Sequence, residues 1–268
     1  MQLSASRVLL TGATGGMGRA IVAALCARGA QVLVVGRQDK ALQALVERNP
    51  SQVSCLQADL RQPADRASVL RRAQQTGDIN LLINAAGINH FGLFENMQEQ
   101  AINDLIETNL TATLQLTHAM LPLLRSQPQS CVVNIGSTFG SIGYPGFSVY
   151  CATKFALRGF SEALRRELAD TNVGVLYLAP RATRTEMNNA AVEAMNAELQ
   201  VSMDSPELVA ERLVQALDAD LREVHLGFPE RLFVRLNGIL PRLVDKALRR
   251  QLPTIQHYAT PSTHTREH

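Results

Sequence analysis

Lysine is scarce in this 268-residue chain: only Lys40, Lys154 and Lys246 occur, so arginine supplies nearly all the positive charge. Tyrosine is almost as rare, with four residues. The cysteines Cys26, Cys55, Cys131 and Cys151 form no CxxC pair and lie near no histidine cluster, which argues against a disulfide framework and a zinc site. Buried thiols are expected instead, and no metal. A formal net charge of +2 leaves no basic field that would favour nucleic acid as a partner. Long apolar runs are missing too: QVLVVG and VGVLYLAP end at Gly or Pro, well short of the roughly 20 residues a bilayer span needs. The opening MQLSASRVLLTG has neither a basic n-region nor an apolar stretch of signal-peptide length, so a cytoplasmic protein is expected. No linker, internal duplication or low-complexity block divides the chain, and its length suits one domain.

What is present is a regular alternation. The short β-branched runs RVLLTG, QVLVV, VSCLQA, INLLIN, CVVNIG and VGVLYLA are separated by stretches with helical spacing such as MGRAIVAALCARG and DKALQALVERN. Strands apolar on both faces belong in a parallel sheet covered by helices, so the expected fold is α/β, a doubly wound Rossmann-type sheet with helices on both faces. REVHLGF is expected to complete the sheet. Asp39 is expected to cap a helix, Pro63 to occupy a first turn, and Ser205 to cap a helix opened by Pro206 and Glu207.

The glycines Gly12, Gly16 and Gly18 fall between the first strand and the first helix, where a close turn brings backbone N–H groups and a helix N-terminus to a pyrophosphate. Their spacing, G-x-x-x-G-x-G, departs from the G-x-G-x-x-G template. The exit of the second strand bears on the choice of nucleotide. An acid there would accept from a ribose 2′-OH, whereas an arginine would hold a 2′-phosphate. Both candidates occur, in Arg37 and Asp39, and the position of Arg37 nearer the strand end favours NADP(H) over NAD(H).

Tyr150 and Lys154 lie four residues apart, on one face of a helix. A tyrosine exchanging protons near neutral pH needs a neighbour that stabilises its phenolate, because its ordinary pKa is about 10. With Thr11-Gly12-x-x-x-Gly16-x-Gly18, Asn84-Ala85-Ala86-Gly87, Asn109 and Ser137 in this order, the chain resembles the short-chain dehydrogenase/reductase family in its single-domain type, over about residues 5–227. The resemblance implies a catalytic set of Asn109, Ser137, Tyr150 and Lys154. Tyr150 would be the general acid or base, Lys154 would hold the nicotinamide ribose and lower the Tyr150 pKa, Ser137 would bond the substrate oxygen, and Asn109 would support a water leading from Lys154 to solvent. It also implies a cofactor set: Thr11, Gly12, Gly16, Met17 and Gly18 at the glycine turn, Arg37, Asp59 and Leu60 around the adenosine, and Asn84, Ala85 and Gly87 beside the central sheet. Pro180, Thr183 and Thr185 would join Tyr150 and Lys154 at the nicotinamide. A small-molecule carbonyl or alcohol substrate and a homodimer or homotetramer follow from the same resemblance.

Two departures from the family's pattern stand out. Ala85 replaces the usual second asparagine, and Arg181 replaces the usual glycine after Pro180, which implies local rearrangement if that position needs a glycine-type conformation. The loops beyond the strand ends are expected to meet substrate through His90, Phe91, Phe139, Tyr144 and Met187, a partly apolar set that suits an apolar carbonyl compound, with residues 186–204 as the substrate loop. Met187, Met195 and Met203 suit either an adaptable lid or the packing of a short helix. Residues 228–252 read as an amphipathic helical extension of the 1–227 domain, divided at Pro241, and 253–268 as a polar tail. Its basic face suits packing on the domain or a partner subunit, or peripheral contact of residues 229–252 with an anionic membrane. The rival functions are a non-catalytic dinucleotide-binding regulator and a membrane-associated scaffold; an epimerase or dehydratase on the same fold also stays open.

Overall fold

The computed structural model describes residues 1–260. Strands and helices alternate from the start: β1 Arg7–Thr11, α1 Gly16–Ala27, β2 Gln31–Gly36, α2 Asp39–Arg48, β3 Val53–Gln57, α3 Pro63–Thr76 and β4 Leu81–Asn84. Helices α4 Glu99–Ile106 and α5 Ala112–Arg125 follow, joined through a π bulge at Glu107–Thr111. They lead to β5 Ser130–Ile135, α6 Ser148–Glu167, β6 Val173–Ala179, α7 Ala190–Glu198, α8 Pro206–Asp218 and β7 Glu223–His225. Two helices close the described chain, α9 Glu230–Ile239 and α10 Pro241–Ala259.

The strands form one parallel sheet in the order β3-β2-β1-β4-β5-β6-β7, the doubly wound arrangement expected. Side-chain alternation divides the core in two. Val8 and Leu10 pack with Ile21 and Leu25 of α1 and Leu213 and Leu217 of α8, while Leu9 packs with Val69 of α3, Leu116 of α5 and Leu164 of α6. The strand order reverses between β1 and β4, which opens a crevice at their carboxyl ends.

Ser205 caps α8 by accepting from Leu208 N at 3.2 Å, and Pro63 and Pro241 each open a helix. Asp39 is not a cap. Gln38 holds that position without a side-chain bond, and Asp39 is the first helical residue, where its charge favours the positive end of the helix dipole. Of the thiols expected to be buried, Cys26 and Cys151 are, while Cys55 and Cys131 are only partly so. The polar tail expected over 253–268 is corrected for 253–259, which continue α10 through Pro253. Burial of Ile255 and Ala259, together with bonds from Thr254 and Tyr258 to the Glu198 carboxylate at 3.0 and 2.9 Å, offsets the donor that proline lacks. Residues 261–268 of that expected tail lie outside the described residues. Among the described residues no helix is long and apolar enough to cross a membrane.

Candidate active site

One continuous cleft runs from the end of β2, across the glycine turn, to the inner face of α10. Its floor is the β1–α1 turn. Gly12 has φ +69°, and a Cβ there would meet Ala85 O at 2.6 Å; a Cβ on Gly18 would overlap Gly12 O and lie 2.7 Å from Ala13 Cα. The turn is therefore closed on itself, with the N-terminus of α1 aimed into the cleft. Gly16 faces Thr185, whose Cγ2 would lie 3.3 Å from a Cβ on Gly16, so the absent side chain seats the loop that follows β6. Such a cradle, which a side chain would fill, fits a dinucleotide pyrophosphate.

Most expected cofactor residues line this cleft: Gly12, Gly16, Met17 and Gly18 at the turn, Arg37, Asp59 and Leu60 at one end, Ala85 and Gly87 in the middle, and Pro180, Thr183 and Thr185 opposite. Arg37 lines it and Asp39 does not. Arg61, which sequence reasoning missed, lines the same end and pairs with Asp59 at 2.7 Å and Asp104 at 3.2 Å. Hydrogen bonding from Arg61 holds the Asp59 carboxyl below the usual carboxylate range. No periodicity marks Arg61; only the folded path of residues 59–61 brings its guanidinium back.

Thr11 and Asn84 stand behind the cleft wall instead of on it. Thr11 Oγ1 accepts from Ala85 N and Ala86 N at 3.1 and 3.2 Å, which pins the strand end beside the glycine turn. Asn84 Nδ2 donates to Thr117 Oγ1 and Asn134 Oδ1 at 3.0 and 2.9 Å. Asn109 is buried in the π bulge, its Oδ1 accepting from Ile88 N at 2.8 Å and its Nδ2 donating to Ile88 O at 2.9 Å. A Cβ on Gly87 would lie 3.3 Å from Asn109 Oδ1 and 3.8 Å from Lys154 Nζ, so Gly87 keeps the space between the two residues open.

Tyr150 and Lys154 project from adjacent turns of α6, and Ser137 faces them from the end of β5. Ser137 Oγ accepts from Phe139 N at 3.1 Å, and a Cβ on Gly136 would overlap the Tyr177 ring, so the loop is seated on that aromatic. Lys154 is buried, donates from Nζ to Ile135 O at 3.0 Å, and stands 5.7 Å from the centroid of the Tyr150 ring. Burial pushes Tyr150 up to about 12, opposed in part by the neighbouring Ser137 hydroxyl, and pulls Lys154 down to about 8. Desolvation therefore favours the neutral form of both groups.

A stability prediction follows from the shift of Lys154. Between its folded value of about 8 and its ordinary value of 10.5 the unfolded chain binds more protons, so its contribution to stability is present above 10.5 and lost as pH falls through 8. From about pH 7 to about pH 9.5 this group should add about 2 kcal/mol to the unfolding free energy. Chemical denaturation at both pH values should give the native protein a change more favourable than that of Lys154→Met by this amount, because the thiols that burial raises, whose contribution falls as pH passes 9, are common to both. Equal slopes would mean that the ammonium is not desolvated. The raised Tyr150 acts in the opposite sense only at higher pH, its contribution being lost as pH rises from 10 through about 12.

At the substrate end Phe139, Tyr144 and Met187 line the cleft as expected, with Met187 47% exposed. His90 and Phe91 do not. Gly92 N donates to Gly146 O at 2.9 Å, which pulls that loop against residue 146; Phe91 packs on Phe147 with ring centroids 4.9 Å apart, and His90 is left exposed. Met195 is buried in the packing of α7 instead of serving as an exposed lid residue. Missed altogether were Phe147, Val192, Val244 and Leu248, which complete the apolar end because α10 folds back over α7.

Arg181 needs no glycine-type conformation, since it is not among the residues with positive φ. Its guanidinium pairs with buried Asp204 at 2.7 Å and with Glu230 at 3.4 Å, and its side chain passes over Gly227, where a Cβ would meet Arg181 Cδ at 2.5 Å. One arginine thus ties the loop after β6, the segment before α8 and the start of α9 around the cleft mouth.

The profile of the short chain dehydrogenase family matches residues 6–196. The 3-oxoacyl-acyl-carrier-protein reductase FabG of Escherichia coli is 34% identical over 191 residues, 71% of this chain and 78% of its own length. A crystal structure of a short-chain dehydrogenase from Streptomyces avermitilis superposes with a TM-score of 0.80 at 30% identity, covering 92% of this chain and 99% of that one. A short chain dehydrogenase from Burkholderia cenocepacia, solved in complex with NADP, gives the same TM-score at 25% identity and covers 92% of this chain and 99% of its own.

Proposed function

This chain belongs to the short-chain dehydrogenase family, and from that premise we propose that it is an NADP(H)-dependent oxidoreductase acting on a carbonyl compound or the corresponding secondary alcohol. The observation that carries this reading is the placement of Tyr150, Lys154 and Ser137 together in the cleft that begins at the glycine turn. When bound, the nicotinamide supplies or accepts the hydride. Tyr150 holds the proton that its hydroxyl gives to the substrate oxygen, and Ser137 Oγ bonds the same oxygen and orients it. Lys154 holds the nicotinamide ribose, and Asn109 keeps the strand-end backbone at Ile88 in place beside it.

Preference for NADP(H) is supported by Arg37, which lines the adenosine end of the cleft while Asp39 does not. The complex of the Burkholderia cenocepacia protein with NADP points the same way. A guanidinium binds a phosphate through charge-assisted hydrogen bonds, so Arg37→Ala should weaken NADPH binding about tenfold or more and leave NADH binding nearly unchanged. Fluorescence titration of both nucleotides measures this. Equal affinity of the native protein for the two would rule out the assignment of Arg37. The substrate segment is residues 186–204, of which Met187, Val192, Met195 and Val201 line the cleft with Phe139 and Tyr144, and this apolar end suits a substrate with an apolar body. Oxidation of NADPH against ketones, aldehydes, 3-oxoacyl thioesters and steroids tests the activity; tight nucleotide binding without turnover of any of them would favour a regulator.

A further inference from the structure

The outer faces of α9 and α10 carry a pattern that the cleft does not use. Arg231 and Arg235 on α9, and Arg242, Lys246, Arg249 and Arg250 on α10, are all exposed, against the acids Glu230 and Asp245 over the same stretch. Among the described residues none of these six cations takes part in an ion pair, while Glu230 is already held by Arg181. Large apolar side chains stand between them: Phe228 is 77% exposed, Ile239 76%, Leu243 56%, Leu240 49% and Leu232 48%. Ile239 and Leu240 form the corner where α9 turns into α10 at Pro241, so an apolar tip projects between two basic helix faces.

Helical spacing separates this face from the one that closes the cleft. Val244, Ala247, Leu248 and Gln251 recur at the i, i+3, i+4, i+7 spacing of one helix face and line the cleft, while Arg242, Lys246, Arg249 and Arg250 occupy the opposite side of α10. On α9, Asn237 anchors the inner side by donating to Ser141 O at 2.9 Å, and Phe233 lines the cleft while remaining 39% exposed.

We propose that the α9–α10 hairpin is a docking surface for an anionic lipid membrane, on which it lies with Ile239, Leu240 and Leu243 set into the headgroup boundary and its six cations facing lipid phosphates. Charge decides among the possible occupants. A second copy meeting this patch about a two-fold axis would bring one cluster of cations against the same cluster, and like charges oppose that contact. An anionic bilayer meets both features at once, the apolar tip through its acyl boundary and the arginines through its surface charge.

Full-length protein should be sedimented with vesicles of phosphatidylcholine alone and of phosphatidylcholine with phosphatidylglycerol. The native chain should partition at least about tenfold more strongly onto the anionic vesicles and be released by high salt, which screens surface charge. The triple variant Arg235→Glu, Arg242→Glu, Arg249→Glu should lose that binding, and Ile239→Ser with Leu240→Ser should weaken it, both keeping the native thermal midpoint and nucleotide affinity. Three results would overturn the proposal: no binding of the native chain to anionic vesicles, binding undiminished by charge reversal, or a dimer in light scattering that these variants dissociate while vesicles bind nothing. Binding that is equal on neutral and anionic vesicles would equally remove the role given to the cations.

Discussion

Tyr150→Phe should lower turnover with NADPH by about a hundred- to ten-thousandfold, the range expected when a positioned general acid is removed. Nucleotide affinity and thermal midpoint should change little, because phenylalanine keeps the ring that packs against Phe139 and Phe147 at centroid distances of 6.4 and 6.5 Å. Steady-state rates measured beside a binding titration separate the two effects. Retention of full activity would show that another group donates the proton. Loss of nucleotide binding would instead mean that the hydroxyl matters for the cofactor site and leave its acid role unsupported.

Gly18→Ala should damage the cofactor cradle although it adds a single methyl group. That methyl overlaps Gly12 O and approaches Ala13 Cα to 2.7 Å, and both are backbone atoms that cannot swing aside as a flexible side chain does. Overpacking of this kind costs roughly 2–3 kcal/mol, which for a chain of this size lowers the thermal midpoint by roughly 5–10 °C. If the turn opens to relieve the contact, NADPH affinity should fall by about tenfold to a hundredfold. Gly15→Ala is the comparison, since its Cβ would meet only Gly12 O at 3.6 Å, and its thermal midpoint should stay near native. Equal destabilisation of the two variants would refute the close packing of the turn.

Much of this site was legible in the linear chain because its parts are local. Tyr150 and Lys154 lie one helical turn apart, Gly12 to Gly18 sit in a single βα connection, and Arg37 follows its strand directly. Residues acting through distant partners were less legible. The side chain of Asn109 bonds the backbone of Ile88 and Thr153, partners that its place in the linear chain does not announce. Phe91 reads as a substrate residue until Phe147 is found to cover it. Arg181 implied strain in the sequence, yet in the structure it is a clamp, because Asp204 and Glu230 arrive from elsewhere in the chain.

By itself the sequence determined the alternating order of elements, the parallel sheet and the spacing that unites a tyrosine with a lysine, since strand and helix periodicities act over a few residues. Tertiary structure alone decided how burial shifts the groups at the centre and what forms the wall of the apolar end. Desolvation depends on everything packed around a group, so only the folded protein could show that Tyr150 and Lys154 are both pushed toward neutrality. Only the return of α10 over α7, sealed by Ile255 and Ala259, could turn an amphipathic C-terminal stretch into one face for the cleft and another for solvent.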